Sequence, residues 1–238
     1  MITGPPRHSA ALETFLRNFE RQGALVGVLA KDAEEHHLLL EELKKAGDAE
    51  FEKKFRSVKE KMDEYNRVRE FVHEWYIVMQ VTFAETYLHD VLVACAAIDP
   101  ALMADSKQTA TYQEVVNATS VDELANQLRS AWARNFIDRG GPSTWIDRLT
   151  RMGATGFPAD LGQKLEEAWG IRHVVVHSAG RVTQDFARRH ATLGFKPGDA
   201  LKFSKDPVLA YIGNVATFVK ATDAFLIARY GSKLETAP

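Results

Sequence analysis

Arg172, His173 and His177 fall within one short stretch, GIRHVVVHSAG, at residues 170–180. Histidine near neutrality can give or take a proton, so either ring could serve in acid–base chemistry. Arginine holds a permanent charge on a planar fork of donors and can meet two oxygens of an anion together. His173 and His177 also have the i, i+4 spacing of a metal-binding helix. The glutamate that a zinc-protease pattern needs as base is missing, however, and the only third ligands that follow are Asp185 and His190. Neither a metal nor any other cofactor is therefore expected.

The stretch ends a run with helical spacing. On a helix turning 100° per residue, with Leu161 at zero, Leu165, Ala168, Val175 and Val176 lie within about 60° and Arg172 at about 20°. An unpaired charge in a core stripe costs several kcal/mol, so Arg172 requires a partner or a ligand. His173 and His177 are roughly 40° apart on the shoulder of the stripe, and Arg172 and His177 about 140° apart. Arg172 and His177 converge only if the helix unwinds near Ser178–Gly180 or if a second subunit supplies half the site.

The elements that must position these residues are helical throughout. Apolar residues step by three and four from Leu12 through Phe15, Phe19, Val26, Leu29, Leu40 and Leu43, with Ser9 as N-cap and an end near Gly47-Asp48. A second series runs from Phe51 to Phe83, and a short connection makes the pair an antiparallel hairpin. From Phe71 the chain is apolar on more than one face, as in a helix buried by several neighbours, and Pro100 closes it. A short helix is expected around 112–118, and Ser120 with Glu123 is a capping-box signature opening another. Gly140-Gly141-Pro142 ends that helix. The next opens at Thr144, and Pro158 is expected in the first turn of the one that carries Arg172. TQDFARRHA suits one or two turns, and LKFS (201–204) a short extended piece. The last helix is expected over 206–230, with Val208, Ile212, Val215, Val219 and Leu226 inward. No alternating strand pattern of useful length occurs, so the fold class is all-α.

Arg, a polar residue, three apolar residues, then His at a helix end before a glycine turn resembles the R-x4-6-H motif of the HEPN superfamily (higher eukaryotes and prokaryotes nucleotide-binding). Here these are Arg172, His173, Val174–Val176 and His177, with Ser178 where family members often carry Asn. FAETYLHDVL (83–92) resembles the first core helix of such domains, and maps Glu85 as the partner that orients Arg172. The resemblance implies a HEPN-like bundle of four to five helices over 67–231, with the long N-terminal helical hairpin over 1–66 as an elaboration and 232–238 as a tail. It implies metal-independent endoribonuclease activity, as in toxins and defence effectors, controlled by an antitoxin or regulatory protein. The attack of a 2′-hydroxyl on phosphorus needs proton transfer, which His177 supplies with help from His173, and charge stabilisation, which Arg172 supplies. It further implies a homodimer with a composite active site, the 161–177 stripe forming the interface. The alternative reading is a non-catalytic HEPN-like RNA-binding or protein-interaction scaffold.

Composition bounds the rest. The net charge of −2 argues against a protein coated in positive charge, yet leaves room for a local basic site. Arg181, Arg188, Arg189 and Lys196 follow the motif and suit an RNA backbone track. Cys95 is the lone cysteine and lies in an apolar run. With no eighteen consecutive apolar residues and no signal-peptide core at the N-terminus, the expected location is cytoplasmic, away from any membrane. Trp75, Trp132, Trp145 and Trp169 are expected in the core.

Overall fold

The structure is a computed structural model that describes residues 9–24, 38, 49–104, 109–203 and 205–234, without the side chains of 49–58, 61, 62, 64–70, 205 and 232. Helix α1 is described over 10–24. It is followed by α2 (Ala49–Ile98), α3 (Tyr112–Asn117), α4 (Val121–Asp138), α5 (Pro142–Arg151), α6 (Leu161–Ser178), α7 (Gln184–Arg189) and α8 (Lys205–Tyr230). The described residues contain no strand, only an isolated antiparallel bridge between Arg181 and Ala200. The chain is all-α. Leu201–Phe203 lies in no regular element, so the extended piece expected at 201–204 reduces to that neighbouring bridge.

Helix α2 is the spine, packed by α4, α6 and α8. Its deep face runs through Ile77, Val81, Ala84, Leu88, Val91, Leu92 and Cys95. Val72, Tyr76, Met79 and Phe83, members of the expected seam, are only half-buried. The reason is the number of neighbours: where three helices cover α2, a different face becomes the deepest one. By length and composition, Phe71–Ile98 could cross a membrane; here its buried apolar residues, from Ile77 to Cys95, belong to the bundle's core.

Helix α1 runs antiparallel to α2, with Phe15 edge-on to Tyr87 and Gln22 accepting from Gln80 at 3.0 Å. Ser9 is its N-cap as expected, its hydroxyl accepting from the Leu12 N–H at 3.1 Å. The same Ser9 donates its backbone N–H and its hydroxyl to Asp223 of α8. Leu12 and Phe15 therefore belong to the core shared by α2 and α8, and a boundary at residue 66 does not separate them from it. The remaining seam positions of the first helix, from Val26 to Leu43, lie outside the described residues.

Local signals set the other ends. Ser120 caps α4 by accepting from the Glu123 N–H, but Glu123 reaches back to the N–H and hydroxyl of Thr119 rather than to Ser120. The complete reciprocal box is at Thr111 and Glu114, opening α3. Helix α5 starts at Pro142, two residues before Thr144, because proline suits a first turn whose N–H has no helical partner. Pro158 lies outside α6: its carbonyl accepts from Leu161, where the helix begins. Trp145 and Arg148 of α5 donate to Ile137, Phe136 and Arg139, clamping α5 against the end of α4. In α8, Val208, Ile212, Val215, Val219 and Leu226 are all buried, as the periodicity requires. Among the tryptophans, Trp145 is fully buried and Trp132 and Trp169 half-buried. Trp75, by contrast, is exposed and packs on exposed Phe71 with ring centroids 5.7 Å apart.

Candidate functional site

Helix α6 carries the motif, and its buried residues are Leu161, Leu165, Ala168, Ile171 and Val174. From Ala168 the buried line advances in steps of three, about −60° per step on a 100° helix. The buried face at the start of α6 is thus not the buried face at its end, along a helix that packs against α5, α2 and α8. Arg172 stands about 100° round from Ile171 and is half-buried on the shoulder. Two expectations are corrected by this. Arg172 does not sit in the middle of the core stripe, and Leu161, Leu165 and Ala168 are buried within the chain's own core, so the 161–177 stripe is not an exposed interface.

Arg172 does have the partner that its environment demands. Its guanidinium lies 3.2 Å from the Glu85 carboxylate, with side-chain exposures of 31% and 22%. The other Glu85 oxygen accepts from the Trp169 indole at 2.8 Å, so three residues from α2 and α6 form one chain of contacts. Burial raises the Glu85 carboxyl above its ordinary value, while Arg172 and the indole pull it back down. The Arg172 Nε is buried with no hydrogen-bond partner among the described residues. The guanidinium is thus held by one edge, with part of it open to solvent.

His173 and His177 are exposed, their ring centroids 4.6 Å apart. Helix α6 stays regular through Ser178, and only Ala179 (φ 49°) and Gly180 (φ 72°) turn left-handed to end it. The unwinding that could bring Arg172 and His177 together in one chain is absent, leaving them about 140° apart. Ser178 is half-buried behind them, and its carbonyl accepts from the Arg181 N–H at 2.9 Å.

The basic residues after the motif are all exposed, but two are already engaged. Arg188 and Arg189 both pair with Asp185, at 2.7 and 2.9 Å. Arg181 donates to the Gly198 carbonyl at 3.3 Å, and Lys196 stands on the adjoining turn. The track carries less unopposed charge than its composition suggests. Among the described residues, no three His, Cys, Asp or Glu side chains are grouped so as to hold a metal ion. His173, Asp185 and His190 all line one cleft without forming such a set.

His190, which the sequence offers only as a third metal ligand, has another setting in the structure. It packs on Phe186 and against Gly170, where a Cβ would stand 2.6 Å from its Nε2. Glycine is what lets α7 approach α6 this closely. Burial lowers the His190 pKa from its ordinary 6.5, opposed by Glu167, Glu166 and Asp185. The folded state therefore favours the neutral ring. Its contribution to stability is complete above the unfolded value and is lost as pH falls through the lowered folded value. On acidification from about pH 7.5 to 5, the melting temperature of the wild type should fall further than that of His190→Gln. Parallel curves would show that His190 titrates as it does in water.

No known family model matches the chain, and neither the curated proteins nor the solved structures include a match.

Proposed function

We propose that the chain is a metal-independent endoribonuclease of HEPN type, working as a homodimer with a composite centre. The observation that carries this reading is Arg172: a partly open cation, aligned by Glu85 and Trp169, next to exposed His173 and five residues before exposed His177. In the proposed reaction His177 takes the proton of a 2′-hydroxyl, whose oxygen attacks the neighbouring phosphorus. The bond to the 5′-oxygen breaks, that oxygen gains a proton, and a 2′,3′-cyclic phosphate remains. Arg172 meets the extra charge on the phosphorane, and His173 assists or positions. No bond in this sequence needs a metal or cofactor.

Each centre takes Arg172 from one copy and His177 from the other, because a regular helix directs them apart. Val176, 48% exposed on the same turn, supplies apolar surface for the second copy. So do exposed Phe71 and Trp75, which flank Glu74, whose carboxylate approaches Gly180. Arg181, Lys196, Arg188 and Arg189 hold the RNA backbone, the last two after exchanging Asp185 for phosphate. A toxin or defence role under an antitoxin or regulatory protein belongs to the same reading. A rival reading, the non-catalytic RNA-binding or protein-interaction scaffold, is favoured by one observation: the Arg172–Glu85 pair closes within a single chain.

Complementation separates them. Arg172→Ala and His177→Ala should each be inactive in excess chelator, and the mixed, exchanged proteins should recover roughly a quarter of wild-type cleavage. Half the dimers are then mixed, and each mixed dimer holds one intact centre. A wild type that binds but never cleaves RNA establishes the scaffold. Cleavage by a protein that sediments as a monomer removes the composite centre.

A further inference from the structure

Beside the motif, α5, α6 and α7 enclose a cleft of about 890 Å³, within the size range of small-molecule sites. It opens on the face of α6 centred on Gly170, roughly opposite Arg172 on the helix wheel, with His173 on the side nearer Arg172. Two carboxylates line it, each fixed by one bond. Glu166 accepts the Ser143 N–H at 3.0 Å through Oε1, and Glu167 accepts the Tyr211 hydroxyl at 3.3 Å through Oε2. Glu166 Oε2 and Glu167 Oε1 have no hydrogen-bond partner among the described residues. Trp169, held in place by its bond to Glu85, also lines the cleft, and Arg189 is exposed at its rim.

We propose that this cleft is a nucleobase pocket selective for guanine, reading a nucleotide next to the scissile phosphate; the last clause rests on the ribonuclease reading. A fixed carboxylate accepts hydrogen bonds and donates none. Guanine presents N1–H and N2–H₂ side by side on one edge, two donors matched to such a group. Adenine and cytosine set one donor beside a ring acceptor, and uracil sets its single donor between two carbonyls, so each would turn an acceptor toward a negative oxygen. The Trp169 indole offers an aromatic surface against which a base can stack. The neutral His190 ring adds a donor without adding positive charge to the cleft. Arg189 at the rim suits the attached phosphate, whose charge the acidic interior keeps outside.

The test titrates guanosine, adenosine, cytidine and uridine into the full chain, followed by calorimetry and by tryptophan fluorescence. Guanosine should bind at least about tenfold more tightly than the others, the discrimination expected of one good paired contact. Glu167→Gln puts an amide donor where guanine needs an acceptor. Gly170→Ala drives His190 and Phe186 into the cleft. Both should remove the preference while keeping a cooperative melt, and cleavage sites mapped on a mixed-sequence RNA should cluster at guanosines in the wild type alone. Equal binding of all four nucleosides overturns the pocket, as does guanosine binding that survives both changes. Spermidine binding that depends on Glu166 and Glu167, with no guanosine binding, would make the cleft a site for organic cations instead. Guanosine selectivity without RNA cleavage keeps the pocket and removes the nuclease; cleavage without base selectivity does the reverse.

Discussion

His177→Ala is expected to lower single-turnover RNA cleavage by about 10²–10⁴-fold, the usual worth of a positioned proton-transfer group, while RNA affinity stays near wild type. His177 is exposed on the last turn of α6, and the chain's own core does not depend on it. Truncating it leaves Arg172, Glu85 and Trp169 in place, so melting temperature should move little. Arg172→Lys supplies the contrast. Lysine keeps the charge beside Glu85 but loses the planar fork, so turnover should drop about 10²-fold, on the scale of one lost transition-state donor. If Arg172 serves only to neutralise Glu85, the same change should alter stability more than rate. Full activity in Arg172→Lys, combined with a His177→Ala protein inactive only because it is unfolded, would remove both residues from the chemistry.

The sequence made the elements legible wherever the cause was local. Capping serines and threonines, proline at a first turn and glycine past a last turn act through their immediate neighbours, and α4, α5, α6 and α8 lie close to where those signals put them. That Arg172 needs a partner was legible because a charge among apolar residues requires one; Glu85 is singled out by the resemblance of 83–92 to a HEPN core helix, and the two side chains meet. The inward face of α6 was not legible at its end. A wheel drawn from Leu161 assumes one inward direction along the whole helix, whereas α6 packs against α5, α2 and α8, and Ile171 and Val174 take over the buried line. The cleft is not legible for a similar reason. Glu166 and Glu167 are unremarkable in sequence, and His190 reaches their cleft only because Gly170 lets α7 approach α6.

The largest effect on stability is expected from a contact with no local signal at all, between residues 214 apart. Asp223 is 1% exposed in α8 and accepts from the N–H and hydroxyl of Ser9 and from the Tyr87 hydroxyl at 3.3 Å. Burial and the neighbouring carboxylate push the Tyr87 pKa well above its ordinary 10, so its hydroxyl keeps its proton and remains a donor. Asp223→Ala removes the acceptor and strands these donors in a dry core. Each stranded group costs about 1–3 kcal/mol, so a total near 3 kcal/mol is expected, or roughly 6–12 °C in melting temperature for a chain of this size. Ser9→Ala removes one donor together with the N-cap of α1 and should cost about 1–2 kcal/mol. The two losses should fall short of additive in the double variant, because both remove the same bond. Loss of this anchor also frees α1 from α8, so protease sensitivity should rise first in residues 9–24. An Asp223→Ala protein that melts within about 2 °C of the wild type would show that the bundle holds α1 by apolar contact alone, through Leu12 and Phe15.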